Sequence, residues 1–479
     1  MDAEVFLDHL EHPRNLGALP DAKHRGSAGG AACGDVVDFR VELDASGVVS
    51  AGFDADGCGA LTAAASAAVE LIDSKGILDA AKVSTEAISA ELGGLSAAKL
   101  HAAELVCDAM HRALGEAARC AQLPAADSRV AVAMSGGVDS ALAASLCADD
   151  SEVVAMTLEL WRDSQTDAAA SCCSHVAVRR ARSVAHSAGL AHFTLDLREE
   201  FRRGVVDPWL AGHSAGSTPN PCVQCNGRVR IEPMADLALR LGAHSLATGH
   251  YAQLIEQDNE AGPLLAAGVD AGKDQAYALA RVPASVLSMM RFPLGAMTKP
   301  AVRAEAKRRQ ISVADAPDSQ DLCFIAGVGR EGFLRQHGGL ANVSGPIVDA
   351  SGAQIGSHRG HFNHTVGQRR GLSVGGGTPL YVTKVDAASN TVHVGPRSAL
   401  GTRTVRINDL DLRRGPDRVM AARLRHRAAP GRVASFELVE GGALIHFEEA
   451  VDMVAPGQVA CLLDGETVIG CGTVSSVGA

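Results

Sequence analysis

Hydrophobic and polar positions alternate with a period of two over Asp38–Leu43 and Val48–Phe53, and Asp44–Gly47 supplies turn residues between them, so the pattern predicts a β-hairpin. The period then lengthens. Leu61–Ile72 is an alanine-rich apolar run and Ala98–Ala118 interleaves apolar and polar positions at helical spacing, which makes the opening module a small α+β unit. Arg119–Arg129, with Gln122, Pro124, Asp127 and Ser128, predicts a short polar linker. Beyond it, Val130–Met134 reads as a buried strand, followed by a glycine turn and the helical Ala141–Leu146. Strands at Glu152–Leu160, His192–Leu197 and His244–Thr248 alternate with helices at His175–Ala188 and Arg228–Leu241. That order predicts an α/β doubly wound parallel sheet with ligands at the strand C-terminal ends. From residue 345 short β-like runs alternate with glycine turns at Gly352, Gly356, Gly371 and Gly375–Gly377. Strands at Ala421–Arg427, Gly431–Leu438, Ala443–Phe447 and Gln458–Leu463 then predict a small β-barrel.

A chain of 479 residues is too long for one core, and these pattern changes divide it into 1–120, 128–335, 345–405 and 406–479. No run approaches the roughly 18 apolar residues of a membrane helix, and the acidic start does not resemble a secretory signal. A cytoplasmic protein without membrane contact is expected. There, twelve cysteines point to ligands, catalytic thiols or core positions rather than disulfides. Net charge is −11, but residues 1–120 carry 19 acidic and 9 basic side chains, so the acidity belongs to that module and the remainder is nearly neutral. Basic clusters at Arg179/Arg180/Arg182, Lys307/Arg308/Arg309, Arg369/Arg370 and Arg423/Arg425/Arg427 leave phosphate binding open, beside the plainer reading of solvated faces.

Three motifs carry chemistry. In Ser135-Gly136-Gly137-Val138-Asp139-Ser140 the glycines permit positive φ and close approach, and the helix that follows offers free N–H groups to a phosphate. No lysine follows the last glycine, as a kinase-type loop would need. In Asn220-Pro221-Cys222-Val223-Gln224-Cys225-Asn226 two thiols stand one helical turn apart behind a proline that favours a helix start, where thiol pKa values fall. Zinc, redox and catalytic roles all fit that pair. In the first module, Cys33-Gly34-Asp35, Gly57-Cys58-Gly59, and His101 with Cys107 offer thiolate, carboxylate and imidazole, a set suited to zinc or iron–sulfur. Cys461 and Cys471 lie in alternating β-like sequence and read as core, Cys120 and Cys147 as unremarkable, and the side chains of adjacent Cys172 and Cys173 diverge.

Over residues 1–118 the chain resembles the IscU/NifU-like iron–sulfur scaffold family, on Ala32-Cys33-Gly34-Asp35-Val36, Gly57-Cys58-Gly59-Ala60 and Lys99-Leu100-His101. The resemblance implies Cys33, Asp35, Cys58 and His101 as cluster ligands and gating carboxylate, for a cluster or zinc, and allows a dimer through this domain. Ala102 stands where the family has cysteine, and Leu95–Lys99 replaces its proline-containing chaperone motif. Cys107 is the nearest substitute, although five residues turn it by ~140° around a helix axis.

Residues 128–479 resemble the tRNA 2-thiouridylase (MnmA) family, whose catalytic domain is a PP-loop ATPase. The matching residues are the Ser135–Ser140 loop, Asn220-Pro221-Cys222…Cys225-Asn226, Ala247–Tyr251, Lys273-Asp274-Gln275, Asp321–Ile325 and His364–Arg369. The resemblance implies adenylation of the 2-oxygen of the wobble uridine by ATP with Mg, releasing pyrophosphate, and replacement of that oxygen by sulfur. Ala133, Met134, Ser135, Gly136, Gly137, Val138, Asp139, Ser140, Leu158 and Gly249 would hold ATP. Asn220, Pro221, Cys222, Lys273, Asp274, Gln275, Arg425 and His426 would touch tRNA, with the 345–405 domain and the barrel clamping it. Cys225 and Cys323 would be the catalytic thiols. Cys222 stands where many members have Asp, and members with Cys-x-x-Cys imply a 4Fe-4S cluster on Cys222, Cys225 and Cys323. A persulfide relay without a cluster is the alternative, and a non-catalytic iron–sulfur carrier is the rival from another class. The partners implied are tRNA and a cysteine desulfurase or another sulfur donor. The fused scaffold is expected to act as a tethered module at high local concentration, loading or repairing the cluster in cis.

Overall fold

A computed structural model describes residues 2–29, 34–162, 175–256, 262–318, 322–372, 374–375 and 379–478. The chain forms two compact units. The first comprises Met1–Arg198, Pro233–His250 and Met289–Phe324, and the second Glu199–Glu232, Tyr251–Ser288 and Ile325–Ala479. Among the described residues no helix is long and apolar enough to cross a membrane.

The first unit opens with an antiparallel sheet of His24–Gly29, Val36–Leu43 and Val49–Asp56. Its predicted hairpin closes because Asp44 accepts the N–H groups of Ser46 and Val48 at 2.8 and 2.9 Å while Gly47 takes φ +81°. Val37, Phe39 and Val41 alternate into the core. The helix Leu100–Ala118 crosses this sheet so closely that a side chain at Gly26 would strike the Ala109 carbonyl. Next comes a five-stranded parallel sheet in the order Met290–Arg291, Ala243–Thr248, Ala126–Ala133, Glu152–Glu159, Ala191–Asp196. The central strand feeds the glycine loop, and the helix Val138–Cys147 follows it.

The link between module and sheet is not a free tether. Leu123 N–H donates to the Arg240 carbonyl at 2.9 Å and Ala126 N–H to Gly242 at 2.9 Å, and the central strand already begins at Ala126. The Leu100–Ala118 helix also packs against the edge strand Ala191–Asp196, where Gly115 leaves no room for a Cβ beside the Thr194 carbonyl. Buried Asp108 pairs with Arg179 at 2.6 Å and with buried Arg182, and Arg112 pairs with Glu159 at 2.6 Å. The expectation of a mobile tethered module therefore fails for a physical reason. Asp108 and Arg112 of the scaffold helix pair with charged residues of the other domain, and separating the two would strip those pairs.

Three histidine rings meet in this seam, with centroids of His111, His186 and His192 between 5.0 and 6.1 Å apart. Burial, with Arg182 adding to it, holds all three below the usual imidazole range, His186 at about 4, and neighbouring rings add to the effect at His111 and His192. Burial therefore disfavours the charged ring at each position, although both His111 nitrogens face carbonyls, of Val83 and His192. On unfolding each ring regains a normal affinity for protons. Stability is therefore full above about pH 6.5 and falls as pH drops toward 4. We expect the melting temperature of the full chain to decline over that window, and His186→Gln to flatten the decline. An unchanged slope would show that these rings titrate alike in both states.

The second unit holds a four-stranded sheet in the order Gln354–His358, Gly345–Val348, Thr391–Gly395, Tyr381–Asp386, around Ile347, Leu372, Val382, Val392 and Val394. Its last six strands close into the expected barrel, because Thr402–Leu412 pairs with both Gly442–Val451 and Thr467–Gly478. A hairpin from far upstream, Ala252–Ile255 and Leu264–Ala267, extends this barrel sheet through Val468↔Leu265 rather than joining the parallel one. The predicted strand Ala421–Arg427 stops at Arg423, since Arg427 takes φ +63° and Ala428 N–H closes a turn on the Arg425 carbonyl. Arg423, Arg425 and Arg427 thus do not share one strand face.

Candidate functional site

The nucleotide loop turns at Gly136, φ +72°, and Gly137 caps the helix Val138–Cys147. Ser140 fixes the turn from inside. Its hydroxyl donates to the Gly137 carbonyl at 3.1 Å and accepts the Ser135 N–H at 3.0 Å. Gly249, at the end of the neighbouring strand, lies so near that a Cβ would sit 2.8 Å from Asp139 C and Ser140 N. Leu158 is buried near the end of the adjacent strand. The structure thus gathers Ala133–Ser140, Leu158 and Gly249 at the C-terminal ends of three neighbouring parallel strands, where a doubly wound sheet binds ligands.

Pattern reasoning missed one member of this site. Lys299 is 8% exposed, and its ammonium bonds both Asp139 oxygens at 2.7 Å and Asp318 at 2.9 Å. Arg303 holds Asp318 at 2.8 Å and the carbonyls of Ala314 and Ala316. One signal was in the sequence: a lysine opening a helix, Lys299–Arg308, works against the macrodipole.

In the second unit Asn220 caps the helix Pro221–Gln224, its side chain accepting the Val223 N–H at 3.3 Å with Pro221 in the first turn. Cys222 is exposed and Cys225, one turn on, is 9% exposed. At Cys225 the helix widens into a π-helical stretch, Cys225–Ile231, before Glu232–Arg240 resumes the α form, which replaces the single helix expected over 228–241. Tyr277, another residue the pattern missed, gathers the predicted RNA-contact segments. Its side chain bonds Asn220, its hydroxyl donates to the Val459 carbonyl at 2.8 Å, and its ring lies 5.9 Å from that of His426. Asp274 holds Arg423 at 3.1 Å and Gln275 accepts the Tyr251 N–H at 2.9 Å, so these two brace the loop that carries Lys273. Cys323 is partly buried and belongs to the first unit; Asp321 lies outside the described residues.

In the opening module Asp35, Cys58 and His101 bring one ligand atom each within 4.8 Å of one another, the group of this kind found among the described residues. Buried Asp35 accepts Cys58 N–H at 3.0 Å and its thiol at 3.1 Å, and lies 3.7 Å from His101 Nε2. Gly57 is required, since a Cβ there would strike the Asp35 carboxylate. Cys33, Cys172 and Cys173 lie outside the described residues. Cys107 does not join the group. It points into the core at 0% exposure, and burial pushes its thiol pKa up, so its candidacy as a ligand is corrected by the helical rotation already noted. Cys461 and Cys471 are buried as expected, whereas Cys120 is exposed.

Residues 1–120 match the family described as NifU-like N terminal domain, and residues 128–327 the one described as tRNA methyl transferase HUP domain. Residues 331–396 match the tRNA methyl transferase PRC-barrel domain and 406–474 the aminomethyltransferase beta-barrel domain. The chain is 40% identical, over 98% of its own length and 97% of the relative's, to the bifunctional protein NifU/MnmA of Rubrobacter xylanophilus. It is 39% identical to the tRNA-specific 2-thiouridylase MnmA of Heliobacterium modesticaldum, covering 72% of this chain and 92% of that protein. Among solved structures, the N-terminal part of a NifU-like protein from Brucella abortus covers 22% of this chain and 74% of its own, at 17% identity and a TM-score of 0.16.

Proposed function

Because the chain belongs to the tRNA-specific 2-thiouridylases, in the bifunctional branch that carries a NifU-like domain, and is thus a tRNA sulfurtransferase, we propose a division of labour along it. Residues 1–120 handle iron–sulfur cluster, 128–335 supply most of the ATP chemistry, and 345–405 with 406–479 hold tRNA. Ala133–Ser140, Leu158 and Gly249 bind ATP with Mg. The free N–H groups at the start of Val138–Cys147 take the pyrophosphate end, and the 2-oxygen of uridine attacks the α-phosphate as pyrophosphate leaves. Sulfur then replaces the adenylated oxygen and AMP departs. The observation that carries this is the close approach of Gly249 to Asp139 and Ser140, which brings the end of the neighbouring strand onto the start of the loop helix.

Asn220, Pro221, Cys222, Lys273, Asp274, Gln275, Arg425 and His426 form the tRNA contact. Gathering of Asn220, His426 and the Lys273–Gln275 loop around Tyr277 supports that reading. Cys222, Cys225 and Cys323 form the sulfur site. Its donor set suits a 4Fe-4S cluster, since Cys222 and Cys225 sit at i and i+3 on one helix face, one exposed and one buried. When bound, such a cluster supplies an open iron position, a Lewis acid toward a sulfide ligand. Cys33, Asp35, Cys58 and His101 take a cluster or zinc in the scaffold domain as cargo, supported by the convergence of the last three. A cysteine desulfurase or another donor supplies the sulfur.

Two measurements test this. Asp139→Ala should stop tRNA 2-thiolation; unchanged thiolation would leave an iron–sulfur carrier that merely binds nucleotide. Anaerobic reconstitution with iron and sulfide quantification should give a full complement in the wild type and less in Cys222→Ala and Cys58→Ala. An active wild type without iron would replace the cluster by a persulfide relay.

A further inference from the structure

The two domains of the first unit share more than a seam, because the scaffold helix Leu100–Ala118 reaches two of the elements that border the nucleotide site, the helix His175–Ser187 and the strand Glu152–Glu159. Its Asp108 grips the helix His175–Ser187 through Arg179, at 2.6 Å, and through buried Arg182. The same helix rests on the nucleotide loop. A Cβ at Gly136 would lie 2.9 Å from the Ala177 carbonyl and 3.2 Å from Arg180 Nε. Four residues after Asp108, Arg112 spans from the Ser27 carbonyl, at 2.9 Å, to Glu159 at 2.6 Å. Glu159 follows Leu158 at the end of its strand. The scaffold backbone joins in where His192 N–H donates to the Ala81 carbonyl at 3.0 Å.

These contacts are directional. Asp108 and Arg112 lie at i and i+4, on one face of their helix, and each reaches a different wall of the nucleotide site. Of the charged partners, Asp108, Glu159 and Arg182 are buried, so their positions are fixed by pairing rather than by solvent. Glycine at 136 lets helix and loop touch backbone to side chain without an intervening Cβ. A displacement of the scaffold helix must then move Arg179, Arg182 and Glu159, and with them the loop and the Leu158 strand end.

We propose that the N-terminal domain is a buttress of the nucleotide site, with Asp108 and Arg112 as positioning residues for ATP, a role independent of any metal it carries. The inference rests on the assignment of the loop to ATP. It tells why the module is docked rather than tethered. Residues some distance from the phosphates set the loop geometry through one intervening helix and one strand end.

The test uses the full chain with Asp108→Asn, Arg112→Met and the partly exposed Arg179→Met, measuring Mg-ATP binding by calorimetry without tRNA and amide exchange over 134–140. Each variant should weaken Mg-ATP binding by about tenfold, the lower end of what loss of a supporting partner costs. Exchange over the loop should rise, while tRNA affinity stays at the wild-type value. Wild-type ATP affinity and loop protection in a folded Arg112→Met or Arg179→Met would overturn the proposal, as would equal losses of ATP and tRNA binding. A wild type that does not bind Mg-ATP would instead remove the ATP assignment itself.

Discussion

Cys225→Ser is expected to reduce tRNA 2-thiolation by roughly 10³-fold or more, the scale seen when a residue that acts as part of a chemical unit is removed. A serine oxygen keeps the size and the helix, so the Asn220 cap and the buried face around Val223 and Ile231 persist. What vanishes is a soft, polarisable sulfur that ligates iron or carries a persulfide. Pyrophosphate release dependent on tRNA should survive, because the nucleotide loop belongs to the other unit and is built without Cys225. Digestion of tRNA and mass analysis of its nucleosides, beside a pyrophosphate assay, reads both steps. Thiolation at the wild-type rate would take Cys225 out of the chemistry. Loss of both activities with a lowered melting temperature would make it a packing residue.

Lys299→Met should destabilise the first unit by about 1–3 kcal/mol, below the cost of breaking a fully buried pair because the Asp139 and Asp318 side chains keep 32% and 22% exposure. The ammonium stands between Asp139 and Asp318, and methionine would leave the two carboxylates facing each other around an apolar chain, with Arg303 still pairing Asp318 from the other side. The loop helix would shift to separate them. ATP-dependent pyrophosphate release should therefore fall with stability, whereas Lys299→Arg keeps the charge and should retain more of both. Lys299→Met combined with Asp318→Asn should recover part of the lost stability, since one of the opposed charges is gone. Denaturant titration followed by a probe in this unit gives the midpoints. A double variant no more stable than Lys299→Met would refute the opposed-carboxylate account.

Alternation over 38–53 and alanine-rich periodicity over 61–72 and 98–118 specified the opening sheet and its helices, since those elements bury one face and local spacing says which. Strand, glycine turn and helix at 130–146 located the nucleotide loop for the same reason: a phosphate cradle is built from consecutive residues. Family motifs in the sequence carried the activity. Local pattern misled at 421–427, where alternating arginines looked like a strand but a left-handed Arg427 turns the chain. It also could not tell that Cys107 faces the core while Cys58 reaches Asp35, because a thiol reads alike in both roles.

The sequence by itself determined the modules, the loop and the candidate thiols, features encoded by residues close along the chain. Only the tertiary structure decided that Lys299 meets Asp139 across 160 residues, that Tyr277 gathers Asn220 and His426, and that the upstream hairpin joins the barrel. It also turned an apparent linker between two activities into a docked seam of Asp108, Arg112 and three clustered histidines. The reason is physical. Charges and rings on separate elements acquire meaning only when burial removes water and leaves each dependent on a partner distant in sequence.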